Sequence, residues 1–381
     1  MQKKYSENHL KPYAIRSINS KGRIYHETET SIRSPYQRDR DRIIHSSSFR
    51  RLKHKTQVFV NSEGDHYRTR LTHSMEVSQI ARTLARSLGL NEDLCETLSL
   101  SHDLGHTPFG HAGEEILSQC MKNYGGFDHN IQTLRIVTFI ENKYYKFYGL
   151  NLTIETLDGL IKHNGPITNL DSLQKILKKD LFKSKITFHT YPSLEAQIAS
   201  ISDDIAYNNH DLEDGLRANL FTIKKLCVIP FVSIIVRKHA KNLKNFRREI
   251  IISQIIRDLI NIMVLDVIDT TNKNLKESSP KSINDIYNQD HLMVDFSEKM
   301  KKTDRQIKDF LRVNMYNHKK VVINTNKGKK ILNDLFIYLL KNSKKHISND
   351  MFKNGSEERV IADFIAGMTD RYAINLHKKI K

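Results

Sequence analysis

Apolar residues recur at helical spacing along most of this chain, and few segments alternate as a half-buried strand does. The clearest stripe has apolar side chains at offsets of 0, 3, 4, 7 and 11, namely Val77, Ile80, Ala81, Leu84 and Leu88. This spacing places them on one face of a helix. The pattern therefore predicts a helix over 72–88 that ends at Gly89, because glycine readily adopts the left-handed conformation that follows many helices.

A second predicted helix leads to a group of polar residues. Asn91 is a suitable N-cap for it, because an asparagine side chain accepts a hydrogen bond from the first turn. The helix carries His102 and Asp103 near its end, Pro108 breaks it, and a new helix starts from Gly113.

The same periodicity predicts the rest of the architecture. Further helical patterns cover 153–163, 194–220 and 223–267. Three segments lack the pattern and are predicted to be an irregular arm (1–34), an exposed connection (272–290) and a short hairpin (321–331). The predicted fold class is all-α.

Composition narrows the class of protein. The chain has 381 residues, enough for one large core or a main domain with a smaller lobe. It has no apolar run of membrane-spanning length and begins with a polar segment, so we expect a cytoplasmic protein without a membrane partner. Its three cysteines form no CxxC pair, which favours reduced thiols. A net charge of +18 favours a polyanionic partner such as nucleotide phosphates or nucleic acid, although lysine-rich solvated helices would give the same charge.

The most informative chemistry lies around His102 and Asp103. Two further histidines follow at 106 and 111, and separate segments supply His73 and Asp203. Imidazole and carboxylate together suit a divalent cation that polarises a phosphoryl oxygen or activates water. A single histidine is more often an ordinary hydrogen-bonded residue, but four such residues taken together favour a metal site.

A second group follows Asp203 on the same predicted helix. Tyr207 and Asp211 lie four and eight residues later, so all three side chains fall within a narrow arc of one face. An aromatic ring and a carboxylate beside a metal site suit a sugar. A solvated stripe with a buried tyrosine is an equally good reading of Asp211 taken alone.

Longer motifs connect the chain to a known family. Its segments 34–43, 49–52, 57–59, 64–74, 162–166, 203–215 and 366–373 resemble those of the bacterial dGTPase-like deoxynucleoside triphosphate triphosphohydrolases of the HD-domain superfamily. The resemblance runs from about residue 20 to the C-terminus. It implies an all-α HD fold, assembly into a homo-oligomer, and cleavage of a dNTP to deoxynucleoside and intact triphosphate.

The resemblance also assigns residues and domains. It implies a catalytic core over 35–220, with a C-terminal helical lobe over 221–381 that completes the site and the oligomer interface. The implied ligands of a divalent metal (Mg, Mn or a similar transition metal) are His73, His102, Asp103 and Asp203. The implied catalytic residues are His106, His111, Glu114 and His129. The implied substrate contacts are Arg70 and Lys308 to phosphate, and Gln57, Tyr207, Asp211 and Tyr316 to the sugar.

Within this set, His111 is our predicted proton donor, with Glu114 orienting a neighbouring histidine. A histidine suits this role because imidazole titrates near neutral pH. No G-x-x-x-x-G-K-[ST] motif occurs, so side chains and metal are expected to hold the phosphates. The resemblance leaves the role of 366–373 open.

Two other classes of function share these features. The same metal-ligand order serves HD-type nucleotide phosphodiesterases, and the arginines at 38–51 with the high net charge suit a nucleic-acid-binding protein that keeps a residual HD site. An activating nucleotide and single-stranded nucleic acid are therefore further candidate partners. The residues implied for the sugar favour the dNTP triphosphohydrolase.

Overall fold

The computed structural model describes residues 7–29, 32–57, 68–168, 186–239, 241 and 245–381. Within these ranges regular structure is helical, and β-pairing is limited to isolated bridges such as Arg23 with Thr153. The predicted all-α class is confirmed. The motif residues at 58–67 and the ends of the predicted 1–34 arm, at 1–6 and 30–31, lie outside the described residues.

The α-helices that we number here are those in the described ranges. They are α1 (Pro35–Ile44), α2 (Ser47–Arg51), α3 (Arg70–Leu88), α4 (Glu92–Ser101), α5 (Gly110–Cys120), α6 (His129–Arg135), α7 (Ile154–Ile161), α8 (Leu194–Arg217), α9 (Pro230–His239), α10 (Arg248–Ser278), α11 (Ile283–Tyr287), α12 (Glu298–Leu311), α13 (Lys319–His346), α14 (Glu357–Ala366) and α15 (Asp370–Ile380). None of the helices in the described part of the chain is both long and apolar enough to cross a bilayer.

Helix α3 confirms the strongest periodic prediction. A capping box between Thr69 and Thr72 begins it, and Gly89 ends it with φ of 68°. The whole predicted stripe from Val77 to Leu88 is buried. It packs against α8, whose buried Ile198 and Ile205 belong to the same apolar core.

Helix α4 is capped by Asn91, as predicted, but ends at Ser101 rather than at Pro108. His102–Gly105 forms a tighter 3₁₀ turn, and its last residue packs directly on α6. A Cβ on Gly105 would lie 2.0 Å from the carbonyl oxygen of His129. The helix therefore ends before Pro108, and the close approach of this turn to α6 requires glycine at position 105.

Helix α8 is the 194–220 prediction, shortened to Leu194–Arg217. It is buried along most of its length and contacts α3, α4, α10 and α12. The 153–163 prediction corresponds to α7, which Thr153 caps. The 223–267 prediction is divided into a 3₁₀ segment (Ile223–Val228), α9 and the first part of α10.

Two predictions are wrong. The proposed hairpin at 321–331 lies inside α13, where the side chains of Val321 and Leu332 are buried. The hairpin was centred on 324–328, but Gly328 at the end of this segment instead allows close packing, since a Cβ there would lie 2.7 Å from the ring of Phe109. The proposed connection at 272–290 is also largely helical, because α10 continues to Ser278 and α11 follows with Ile286 buried.

The N-terminal arm is irregular as predicted. Its described part has one short 3₁₀ turn, Ser17–Asn19. The arm nevertheless packs on the helical body: Leu10 and Ala14 join the apolar core under α3, and Ile15 donates its backbone N–H to Glu195 on α8.

Candidate metal centre and active site

Three of the four predicted metal ligands converge between α3, α4 and α8. The Nε2 atom of His73 lies 2.8 Å from Oδ1 of Asp203, and Nε2 of His102 lies 3.5 Å from the same oxygen. Their ligand atoms all fall within 4.8 Å of one another. Residues from three helical segments that are distant in sequence thus meet around one point.

The orientation of His102 suits a metal ligand. Its Nδ1–H donates to the carbonyl oxygen of Ser99 at 2.7 Å, which fixes the ring and directs Nε2 toward Asp203. That Nε2 is buried and has no hydrogen-bond partner among the described residues. A buried nitrogen without a partner is costly, and a cation between His73, His102 and Asp203 would satisfy it. The donor set of two imidazoles and a carboxylate suits a divalent ion.

A chain of contacts supports His73 from behind. Its Nδ1 lies 3.3 Å from Nδ1 of His210, and Nε2 of His210 lies 3.2 Å from Oε2 of Glu76. When His73 donates its Nδ1–H to His210 and His210 donates its Nε2–H to Glu76, the lone pair on Nε2 of His73 faces Asp203. Supporting contacts of this kind commonly fix the tautomer and orientation of a metal-binding histidine.

Asp103 lies next to this group and not within it. Its Oδ1 is 3.4 Å from His102 and 3.1 Å from Nε2 of His106, and its Oδ2 accepts a hydrogen bond from Arg70 at 3.0 Å. Burial raises the pKa of this carboxyl, but the charges of Arg70, His102 and His106 outweigh it and hold the pKa well below its usual range. Asp103 is therefore ionised, and its role as a metal ligand stays a prediction.

The predicted catalytic histidines form a second group around Glu114. The rings of His106 and His129 stack with centroids 4.0 Å apart, and His111 lies edge-on to His106 at 5.4 Å. Glu114 accepts hydrogen bonds from Nδ1 and the backbone N–H of His129, at 2.7 and 2.9 Å, and lies 3.5 Å from His111. Against the effect of burial, these histidines lower the pKa of Glu114 far below its usual value.

Arg70 bonds to Asp103, which adjoins both groups. It is almost completely buried at the start of α3, and its Nη1 donates to Asp103. Its Nε and Nη2 atoms are buried, and within the ranges that the structure describes neither has an acceptor. Burying a guanidinium with two unpartnered nitrogens is unfavourable unless an anion completes its hydrogen bonds. Arg70 is thus suited to bind phosphate, as its motif implies.

Three of the four residues implied for the sugar, Tyr207, Asp211 and Tyr316, lie together. The hydroxyl of Tyr316 donates to Oδ2 of Asp211, and the ring of Tyr316 lies 6.5 Å from that of Tyr207. Burial raises the pKa of Asp211 to about 8. Its Oδ1 and the Oε1 of Gln57 are buried and, in the described part of the chain, accept no hydrogen bond. Both atoms are available to a ligand hydroxyl.

The separation of the two tyrosines limits how a sugar binds. A ring held between them would need about 7 Å, twice the usual van der Waals contact, whereas their centroids are 6.5 Å apart. A sugar therefore contacts one side of this pair, next to Asp211, unless the rings separate.

Lys308 occupies an ion-pair site in this structure. Its Nζ lies 2.8 Å from Asp204 and 3.0 Å from Asp304, and its side chain is 43% exposed. A phosphate contact by Lys308 would have to replace or join these carboxylates. Asp204, which follows the predicted ligand Asp203, was not anticipated as its partner.

Sequence reasoning missed two histidines beside the metal group. The ring of His163 stacks on His102 at 5.6 Å, and its Nε2 lies 3.9 Å from Oδ2 of Asp203. His210 supports His73, as described above. His163 lies in the family-like segment 162–166 and His210 directly precedes Asp211, so both were adjacent to residues already singled out.

Comparison with known proteins identifies the family of the chain. A family model described as the HD domain matches residues 70–208, and one described as the phosphohydrolase-associated domain matches residues 294–379. A Pelagibacter ubique protein is 59% identical over 95% of this chain and 97% of its own length. Relatives from Parvibaculum lavamentivorans and Bartonella henselae are 46% and 47% identical, each over 97% of this chain and over 96% and 94% of their own lengths. All three relatives are named deoxyguanosinetriphosphate triphosphohydrolase-like protein.

Proposed function

The chain belongs to the HD-domain phosphohydrolases, among the deoxyguanosinetriphosphate triphosphohydrolase-like proteins, and we propose that it hydrolyses deoxynucleoside triphosphates to deoxynucleoside and triphosphate. The family name supports the class of reaction. The residues around Arg70 and Asp211 support the choice of substrate.

The observation that carries the proposal is the buried Arg70 guanidinium. It bonds to Asp103, which contacts His102 of the metal group and His106 of the second group, and two of its nitrogens find no acceptor in the described residues. A phosphate bound there would contact the metal group on one side and His106 on the other. We therefore assign the α-phosphate to this position.

A divalent cation held by His73, His102 and Asp203 would supply Lewis-acid polarisation of a phosphate oxygen and a water of lowered pKa. The chain's own groups orient the reaction. Arg70 holds the phosphate by charge-assisted hydrogen bonds, and Asp103 fixes both Arg70 and His106. In the proposed step a water gives one proton to solvent as its oxygen forms a bond to the α-phosphorus, and the bond from phosphorus to the 5′-oxygen of the sugar breaks.

The departing 5′-oxygen needs a proton, and we assign its donation to His111. The His111 ring lies 6.5 Å from that of Tyr207, on the side where the sugar is proposed to bind, whereas His129 stacks on His106. Glu114 contacts both His111 and His129, so it orients the donor and balances its charge.

Sugar selection follows from the Tyr316–Asp211 pair. We propose that the free oxygens of Asp211 and Gln57 accept the 3′-hydroxyl, and that the Tyr207 and Tyr316 rings line the edge where a ribonucleotide carries its 2′-hydroxyl. Burying a hydroxyl without a partner costs about 1–3 kcal/mol, which corresponds to roughly ten- to a hundredfold in selectivity.

A panel of substrates tests the proposal. Purified protein with Mg²⁺ or Mn²⁺ should cleave dNTP, offered singly and as a mixture, at least tenfold faster than the matching NTP. Tyr316→Ala should narrow this ratio by admitting NTP, whereas Asp211→Ala should weaken both classes. Equal cleavage of GTP and dGTP by the wild type would contradict the sugar pocket and favour an HD-type phosphodiesterase.

A further inference from the structure

The segment 366–373, whose role the sequence left open, is bonded to two loops of the site. Asp370 begins α15 and is 2% exposed. Its Oδ1 accepts the backbone N–H of Phe109 at 3.0 Å. Its Oδ2 accepts the backbone N–H of Thr56 at 3.0 Å and also the Thr56 hydroxyl. One carboxylate therefore connects Phe109 and Thr56, which precede it in the chain by 261 and 314 positions.

Neighbouring groups reinforce the same junction. Lys55 is 2% exposed, and its Nζ donates to the carbonyl oxygens of Ala366 and His106, at 2.7 and 2.5 Å. Arg51 donates to the carbonyl oxygen of Gly367 at 3.1 Å. The end of α14 and the start of α15 are thus fastened to residues 51–56 and to the backbone at His106.

The backbone that Asp370 holds has an unusual conformation. Phe109 has φ of 61° and Gly110 has φ of 59°, so two consecutive residues adopt left-handed geometry at the start of α5. For a residue with a side chain this costs about 1–2 kcal/mol. No side chain of Phe109 caps α5. The hydrogen bond to Asp370 offsets part of this cost and fixes the direction in which α5 leaves the turn.

Residues proposed to bind or act on substrate lie just after the two backbone positions that Asp370 holds, Thr56 and Phe109. His111 and Glu114 lie in the first turns of α5, one and four residues after Gly110, and Gln57 follows Thr56. The two loops also touch, because a Cβ on Gly110 would lie 3.3 Å from the carbonyl oxygen of Gln57 and 3.4 Å from Nη2 of Arg70. A small rotation of the turn would therefore displace His111 relative to Arg70 and Gln57.

We propose that Asp370 is a positioning residue of the active site, which sets His111 and Glu114 against Gln57 by holding the backbone at Phe109 and Thr56. This inference rests on the proposed function for the roles of those three residues. It gives the 366–373 segment a part in catalysis without any contact to substrate.

The test compares Asp370→Asn and Asp370→Ala with a matched control, Asp363→Asn. Asp363 lies on α14, is also buried, and pairs with Arg135 rather than with either loop. Two kinds of measurement are made on each folded protein: steady-state kinetics, giving kcat and KM for the preferred dNTP, and amide hydrogen exchange in peptides covering 53–57 and 106–114. Metal content and Tm are recorded alongside.

We expect Asp370→Ala to lower kcat by about tenfold to a hundredfold, as misplacement of reacting groups does, with metal content unchanged. Asp370→Asn keeps one acceptor oxygen, that of its amide, so its kcat should lie between those of Asp370→Ala and the wild type. Exchange should rise in 53–57 and 106–114 in both variants. Asp363→Asn should leave exchange in those peptides and kcat close to wild type, even where its Tm falls as far.

Two results would overturn the inference. One is unchanged exchange in the two peptides of Asp370→Asn. The other is faster exchange there with wild-type kcat. If the wild-type protein cleaves no dNTP, the proposed function fails, and the exchange comparison alone then decides whether Asp370 holds the two loops. Should Asp370→Ala not fold, Thr56→Val removes a single donor to Asp370, and the same exchange criterion applies to it.

Discussion

At the scale of single residues, the candidate site depends on which groups each side chain faces. His73, His102 and Asp203 meet as expected. Asp103 differs because its carboxylate pairs with Arg70 and His106, while His102 directs its Nε2 toward Asp203. His163 and His210 were missed because only the packing of distant segments brings them beside His102 and His73.

The first prediction at this scale concerns the metal. Asp203→Ala should lose bound metal and all activity while its circular dichroism stays that of the wild type, because it removes an anionic ligand from the His73–His102 group. Asp204→Ala is the control, since this neighbour is half-exposed and pairs with Lys308. It should retain metal. Elemental analysis that finds full occupancy in Asp203→Ala, or loss in Asp204→Ala, would reject the assignment.

The second prediction concerns how the buried Asp211 makes the free energy of unfolding depend on pH. Its folded pKa of about 8 exceeds the ordinary value of 3.8, so the folded state binds a proton that the unfolded state has released between these pH values. The contribution of the Asp211 proton to the free energy of unfolding is fully present below about pH 4 and is lost progressively as pH rises to about 8. Asp211→Asn carries no charge at this position. The difference between its free energy of unfolding and that of wild type should therefore be about 2–4 kcal/mol larger, in favour of the variant, at pH 8.5 than at pH 5.

Denaturant unfolding at the two pH values measures this difference. Asp309→Asn serves as a control, because Asp309 is exposed on α12 and should leave the pH dependence of wild type unchanged. A constant gap between wild type and Asp211→Asn at both pH values would show that Asp211 is ionised throughout.

At the scale of elements, helical periodicity and capping residues located most helices, and glycine caused the main error. The Asn91 cap and the Gly89 stop are where the sequence placed them. Gly328 and its polar neighbours suggested a turn, but this glycine leaves room for the ring of Phe109 within α13. Sequence alone does not separate a glycine needed for backbone conformation from one needed for close packing.

Two glycines provide a test at this scale. Gly110 and Gly126 both have positive φ, 59° and 75°, so alanine at either should cost on the order of 1 kcal/mol of stability. Only at Gly110 would the new Cβ meet Gln57 and Arg70; at Gly126 no described atom lies within 4 Å. We expect Gly110→Ala to lower kcat/KM more than tenfold and Gly126→Ala to leave it unchanged. Equal activity at matched Tm would contradict the site geometry.

At the scale of the whole molecule, the proposed active site contains residues from both the 35–220 and the 221–381 parts of the chain. Tyr316 bonds to Asp211, Lys308 to Asp204, and Asp370 to Phe109 and Thr56. These contacts support the proposal that residues 221–381 complete a site begun by residues 35–220. Of these contacts, only the grouping of Tyr316 with Asp211 was implied, through the resemblance to a family. The partners of Lys308 and Asp370 were not predicted, because periodicity describes single helices and not how they meet.

Phosphorus NMR of a dNTP digest tests the central claim most directly. Attack at the α-phosphorus with release of the 5′-oxygen predicts intact triphosphate as the first phosphorus-containing product, together with unphosphorylated deoxynucleoside. In water enriched in ¹⁸O, the label should enter the triphosphate and be absent from the nucleoside. Pyrophosphate with deoxynucleoside monophosphate, or inorganic phosphate with the diphosphate, as the primary products would contradict the account.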